Sequence, residues 1–185
     1  MKRLLTFADK LIGAVWSRIG DITKVPDYEA SVFRIIFGLF MLLFYLPSFS
    51  WVGDIPQSFY EPQYLNVAYL FDGFPPKAFF WFLDILIAVL ILGLTLGIRA
   101  RWCSLGIFIV YFVGTSFAYG IGKIDHKLLP WFILLPLAFS NWGTLLSVFP
   151  DKPLKFNRFA FSFIAICICF GMWSAGAEKA LRWVD

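Results

Sequence analysis

The chain has 185 residues, 60% of them hydrophobic and 15% charged, with a mean hydropathy of +0.76. Apolar residues in this proportion, gathered into long runs instead of the periodic stripes of a soluble core, exclude a water-soluble domain and indicate an integral membrane protein. The formal charge of +4 arises from basic residues in short connections, the ordinary orientation signal of membrane proteins, so nucleic-acid binding is excluded.

Residues 1–30 come first. Leu4, Leu5, Ala8, Leu11, Ile12, Val15, Trp16 and Ile19 recur at helical spacings beside Lys2, Lys10, Arg18 and Lys24. This pattern predicts an amphipathic helix lying on the inner membrane surface or packed on the bundle. It is not a signal peptide, because Asp9 and Lys10 interrupt the apolar stretch and no cleavage site follows.

Spans of membrane length then follow at about 31–51, 78–98, 102–119, 127–148 and 159–177. The predicted fold is all-α, a polytopic helical bundle of about five transmembrane helices over 31–185. Arg34, at the inner end of the first span, fits snorkelling to the headgroups. The connection 52–77, rich in proline and aromatic residues and carrying Asp54, Glu61 and Asp72, exceeds ordinary loop length; it is a functional cap or a spacer. In the second span, Gly93-x-x-x-Gly97 permits close helix packing, as does Ser174-Ala175-Gly176-Ala177 in the fifth. Trp51 and Trp183 resemble interfacial anchors. Cys103, Cys167 and Cys169 lie in or beside apolar segments without a C-x-x-C pair and read as structural thiols, with no metal implied.

Basic residues orient the chain. Lys2, Arg3, Lys10, Arg18, Lys24, Arg34, Arg99, Arg101, Lys152, Lys155 and Arg158, eleven of the sixteen Lys and Arg, fall on one side if the N-terminus is cytoplasmic. Five spans then bring Asp125, His126, Glu178 and Lys179 to the outer face together with the long loop. Asp84 lies about 10 Å along the second span, at 1.5 Å per residue. Ionisable groups at such depth are functional candidates because hydrocarbon holds them at high cost. Each has a plainer role: His126, the single histidine, as a helix-start residue, and Lys179 as a snorkelling side chain or the partner of Glu178.

Gly122-x-x-Asp125-His126, Trp142-Gly143 and Ala175-Gly176-x-x-Lys179 before Trp183 together resemble the horizontally transferred transmembrane domain family. These are the membrane relatives of vitamin K-dependent gamma-carboxylase, and the likeness runs over about 34–185. The resemblance implies that Lys179 is the base that deprotonates a vitamin K hydroquinone, with His126 assisting. Oxygen then converts the hydroquinone to a strong base that takes a proton from a glutamate side chain, so that carbon dioxide adds. Asp125 stands where the carboxylase motif carries an amide. A lysine acts as a base only where its charged form is disfavoured, as in an apolar setting. The implied cofactor is a reduced quinone, and the implied partners are the lipid bilayer and a protein substrate or partner.

Three functions remain open on the sequence. The first is a carboxylase-like, lyase-type membrane enzyme with its site, catalytic residues Lys179 and His126 supported by Asp125, Glu178 and Asp84, at the outer face of a bacterial inner or plasma membrane. The second is a non-catalytic anchor or partner-binding subunit. The third is a small transporter, although no inverted repeat is visible and the ionisable groups avoid the midplane expected of carriers. The chain stops at Asp185, inside a Trp-x-Asp segment that leads into further helices in that family, which leaves open a truncated domain.

Overall fold

A computed structural model describes residues 10, 12–15, 17, 18, 24–62, 66–121, 129–154 and 158–182. Pro26, at φ −58°, leads into helix α1 (Asp27–Phe44), whose first turn carries Asp27 and Glu29 where the helix dipole favours negative charge. Helix α2 (Lys77–Leu96) starts after Pro75-Pro76 and stops at Gly97, which takes the left-handed φ of 72°. The Ile98 N–H donates to the Gly93 carbonyl at 2.8 Å and the Gly97 N–H to the Leu94 carbonyl at 3.1 Å, closing the helix end as glycine-terminated helices do. Helix α3 (Ala100–Ala118) then returns antiparallel.

The α2–α3 hairpin is the centre of the core. Phe80, Leu83, Ile87, Ile91 and Leu94 recur at three- and four-residue intervals on α2 and are buried against Cys103, Ile107, Val110 and Phe117 of α3. The two glycines of Gly93-x-x-x-Gly97 divide the expected role. A Cβ on Gly93 would lie 3.0 Å from Cys103 Sγ, so this position serves close packing, whereas Gly97 serves the turn. Helix α1 packs on α2 through Gly38, where a Cβ would collide with Thr95.

Of the segment expected as a continuous helix over 127–148, the described residues 129–148 form two single turns, α4 (Leu129–Phe132) and α5 (Leu134–Leu137), followed by turns from Ala138 onward. Pro136 lacks the N–H that would bond the Phe132 carbonyl, and a proline ring strikes the carbonyl one turn earlier, so the two turns do not join into one helix. Helix α6 (Arg158–Arg182) follows. Its first turns pack on the bundle through Phe161, whose ring is 6.3 Å from that of Phe33 on α1, and through buried Ala160 and Ser162.

The described chain is thus all-helical, without a named strand. Three helical stretches, Lys77–Leu96, Ala100–Ile121 and Ala160–Ala180, are long and apolar enough to cross a membrane. Helix α1 is 18 residues long and includes Asp27, Glu29 and Arg34. Residues 12–15 are helical and exposed, and the rest of the expected amphipathic helix lies largely outside the described residues.

Candidate functional site

At the end of the bundle where α1 and α3 finish and α2 begins, the long connection is folded. Three short 3₁₀ turns, Ser50–Asp54, Gln57–Phe59 and Val67–Leu70, run across the helix ends. Side chains supply the backbone partners that so irregular a segment needs in an apolar setting. Gln57 both donates to the Phe74 carbonyl at 2.9 Å and accepts from the Phe74 N–H at 2.8 Å. Asn66 donates to the Ser116 carbonyl on α3 at 2.9 Å, and the Glu61 N–H donates to the Gly120 carbonyl at 2.7 Å. The Tyr60 hydroxyl donates to the Ala68 carbonyl, and burial, with Asp72 adding repulsion, raises the Tyr60 phenol above its ordinary value. Phe71, Phe79, Phe80 and Phe117 meet edge to face beneath this cap. These contacts order the connection over its described residues, 52–62 and 66–77.

Asp84 belongs to this end. Its carboxylate accepts from the Phe49 N–H at 2.5 Å, the Ser50 N–H at 3.1 Å and the Ser48 hydroxyl at 3.1 Å. One side chain thus serves two backbone N–H groups and a hydroxyl of a non-helical stretch. It ties the segment after α1 to α2.

The segment that Asp84 holds walls a cavity of about 350 Å³. Phe44, Leu46, Ser48, Phe49 and Trp51 form one side, and Tyr111, Thr115, Ala118 and Tyr119 of α3 form the other, with Tyr45 and Pro47 between. Behind it, Trp131 stacks on Tyr111 at 4.1 Å between ring centres and on Tyr45 at 6.0 Å. The Trp131 indole N–H is buried and has no hydrogen-bond partner among the described residues. No lining side chain carries a charge, and hydroxyls of Ser48, Thr115 and three tyrosines are present. The cavity therefore suits a neutral, mostly apolar molecule with few polar atoms.

The opposite end is built around Arg34. It is fully buried, not snorkelling: Nη1 donates to the Trp142 carbonyl at 2.9 Å, the Leu145 carbonyl at 3.4 Å and Ser147 Oγ at 2.5 Å, while Nη2 donates to the Leu146 carbonyl at 2.5 Å. Leu146 has a positive φ of 50°, so the guanidinium grips a strained turn. Arg101 fastens the neighbouring stretch, donating through Nε to the Ala138 carbonyl and from its backbone to Asp151.

Of the residues singled out in the sequence, Asp84 has its partners at the capped end. Glu178 and Lys179 are exposed on the last turns of α6, and the structure does not bring them to Asp84. Asp125 and His126 lie outside the described residues; Tyr119, which lines the cavity, precedes them on the chain. The cavity tyrosines and Thr115 were not signalled by the sequence, where they resemble any polar residue scattered along a span. No family model, curated protein or solved structure matches the chain.

Proposed function

We propose that this is a membrane-embedded domain that works on a small ring compound dissolved in the bilayer, in the manner its likeness to vitamin K-dependent gamma-carboxylase implies. The observation that carries this reading is the uncharged, aromatic cavity at the capped end, whose wall is fixed by Asp84. A reduced quinone fits such a lining: its ring matches the Tyr45–Trp131–Tyr111 stack and its hydroxyls match the Ser48 and Thr115 oxygens. When bound, that compound supplies the reducing power by which oxygen is converted into a base strong enough for carboxylation.

The protein's own part is to bind, exclude water and move a proton. Lys179 Nζ accepts a proton from a hydroxyl of the bound ring, and His126, seven residues beyond the cavity residue Tyr119, assists. Lys179 lies about 28 Å along α6 from Ala160, at 1.5 Å per residue, a length sufficient to carry it from the Arg34 end towards the capped end. In this reading the capped end is the outer face of a bacterial inner or plasma membrane and the N-terminus is cytoplasmic, with Asp125 and Glu178 as polar support.

The test is hydroquinone-dependent oxygen consumption and epoxide formation by membranes containing the natural protein. Lys179→Ala at equal expression is expected to reduce both to background. A fully active alanine variant overturns the reading.

One observation favours a second reading, a non-catalytic subunit that holds a partner. From Phe170 onward α6 is exposed almost throughout, and neither Gly171 nor Gly176 has a neighbour within 4 Å of an added Cβ. Small residues on an uncovered helix suit close approach by another helix. Single cysteines at Gly171 and Gly176 that cross-link to a second protein in native membranes would support it; recovery without any partner counts against it.

A further inference from the structure

The cavity has a buried floor and an exposed rim. Tyr111 and Thr115 are buried at its base, while Phe44, Leu46 and Trp51 at its mouth are exposed. Phe44 also ends a line of exposed apolar side chains on α1, with Leu39, Phe40 and Leu43, that runs from the mouth along the outside of the bundle. An exposed apolar line of this kind is the surface that a helix offers to lipid. The mouth is continuous with it.

We infer that Phe44 and Leu46 form a doorway between this cavity and the bilayer. Through it the cavity takes the flat head of a neutral amphiphile, whose apolar tail stays outside along Leu43, Phe40 and Leu39. This rests on the reading that the domain works on a membrane-borne ring compound, and it adds the route, the parts of the ligand and the residues that receive each part.

Size, charge and the rim support it. At about 350 Å³ the cavity is at the small end of ligand sites, roughly 300–1,000 Å³, so a head fits and a long tail does not. No counter-charge lines it, because Asp84 turns its carboxylate to the Ser48, Phe49 and Ser50 donors, and an unpaired ionised ligand would be held at high cost. Thr115 Oγ1 donates to the Tyr111 carbonyl at 2.7 Å, which leaves its lone pairs to accept from a hydroxyl of the head.

The experiment uses the full chain carrying Lys179→Ala in lipid nanodiscs, so that turnover plays no part. The probe is an alkylated naphthalene-1,4-diol with a photoreactive diazirine either on the ring or at the far end of the alkyl chain, and labelled peptides are located by mass spectrometry. The ring probe is expected on 44–51 and 111–119, and the chain probe on the lipid-facing side of α1. Ala118→Phe, which fills the cavity, is expected to reduce ring labelling about tenfold, the effect of about 1.4 kcal/mol of lost binding. Leu46→Trp, on the exposed rim, carries the same expectation without touching the core, and serves where the filled variant does not fold.

Ring labelling that neither substitution alters, or that concentrates on α6, overturns the doorway, as does chain labelling on the cap at 57–72. Labelling as expected in a protein whose native Lys179 form oxidises no hydroquinone overturns the proposed chemistry and leaves the doorway standing. Turnover with labelling elsewhere does the reverse.

Discussion

The two ends of the bundle solve one problem with opposite charges. At the capped end an irregular stretch presents N–H groups, and Asp84 collects those of Phe49 and Ser50. At the other end the turn after α5 presents carbonyls, and Arg34 collects those of Trp142, Leu145 and Leu146. In hydrocarbon, non-helical backbone persists only where protein supplies its hydrogen bonds. The difference lies in what each clamp leaves beside it. Arg34 is fully buried on the carbonyls it binds, whereas Asp84 secures a wall with a cavity behind it. One clamp closes the fold, and the other holds a space open.

The sharpest way to break this comparison is to remove each charge. Arg34→Met takes the donor from the buried Trp142 carbonyl and from the Leu146 carbonyl, while Leu145 keeps its bond from Ser147 Oγ; with about 1–3 kcal/mol at stake for a buried group left unpaired, we expect a loss of roughly 3 kcal/mol, read as a fall in melting temperature in detergent. Arg34→Lys, which keeps the charge but not the fork, is expected to fall between. Gly38→Val tests the packing between the clamps: its side chain would strike Thr95, and overpacking of this kind costs about 1–3 kcal/mol. A variant as stable as the parent would mean that α1 shifts freely on α2.

Asp84→Leu is expected to act locally. Hydrogen exchange should accelerate in 48–54 and not in 142–149, at a cost of about 1–3 kcal/mol for the unpaired N–H groups. Equal acceleration at both ends would remove the distinction between them.

A smaller effect comes from Tyr60. Because its folded phenol titrates above the unfolded value of about 10, its contribution is complete below pH 10 and is lost as pH rises through the raised folded value. Tyr60→Phe should flatten that alkaline decline. The smallest effect is expected of Lys77→Ala: the Lys77–Asp54 pair, at 2.6 Å, is exposed on both sides, and such pairs contribute at most about 1 kcal/mol.

The sequence disclosed the hairpin because its signals agree there. Long apolar runs bounded by Pro75-Pro76, Gly97 and the Arg99–Arg101 turn give expected spans of 78–98 and 102–119 against helices at Lys77–Leu96 and Ala100–Ala118. The stretch 127–148 misled because hydropathy weighs Leu134 and Leu137 but not the broken ladder at Pro136. Asp84 was flagged as an ionisable group in an apolar run. Its partners, however, are backbone groups some 35 residues earlier, to which sequence pattern is blind. Arg34 suggested snorkelling since a basic residue at a span end commonly does so; the carbonyls it serves lie more than a hundred residues downstream. The cavity depends on how Tyr45, after α1, and Tyr111, on α3, both stack on Trp131, and single-residue chemistry does not encode that meeting.

The turn between α2 and α3 has one more consequence. Ile98 and Phe149 form an isolated parallel bridge, and the Val148, Phe149 and Arg99 N–H groups donate to the Leu96, Gly97 and Phe149 carbonyls, respectively. A ribosome delivers the hairpin first and its latch about fifty residues later, when synthesis runs from the N-terminus. Until 147–149 emerges, the tip of an already inserted hairpin keeps open backbone positions that only its own downstream chain fills. Completion of the hairpin therefore waits for a fastening step on the Arg34 side, before α6 is made, and a nascent chain halted before Ser147 would hold both helices without their lock.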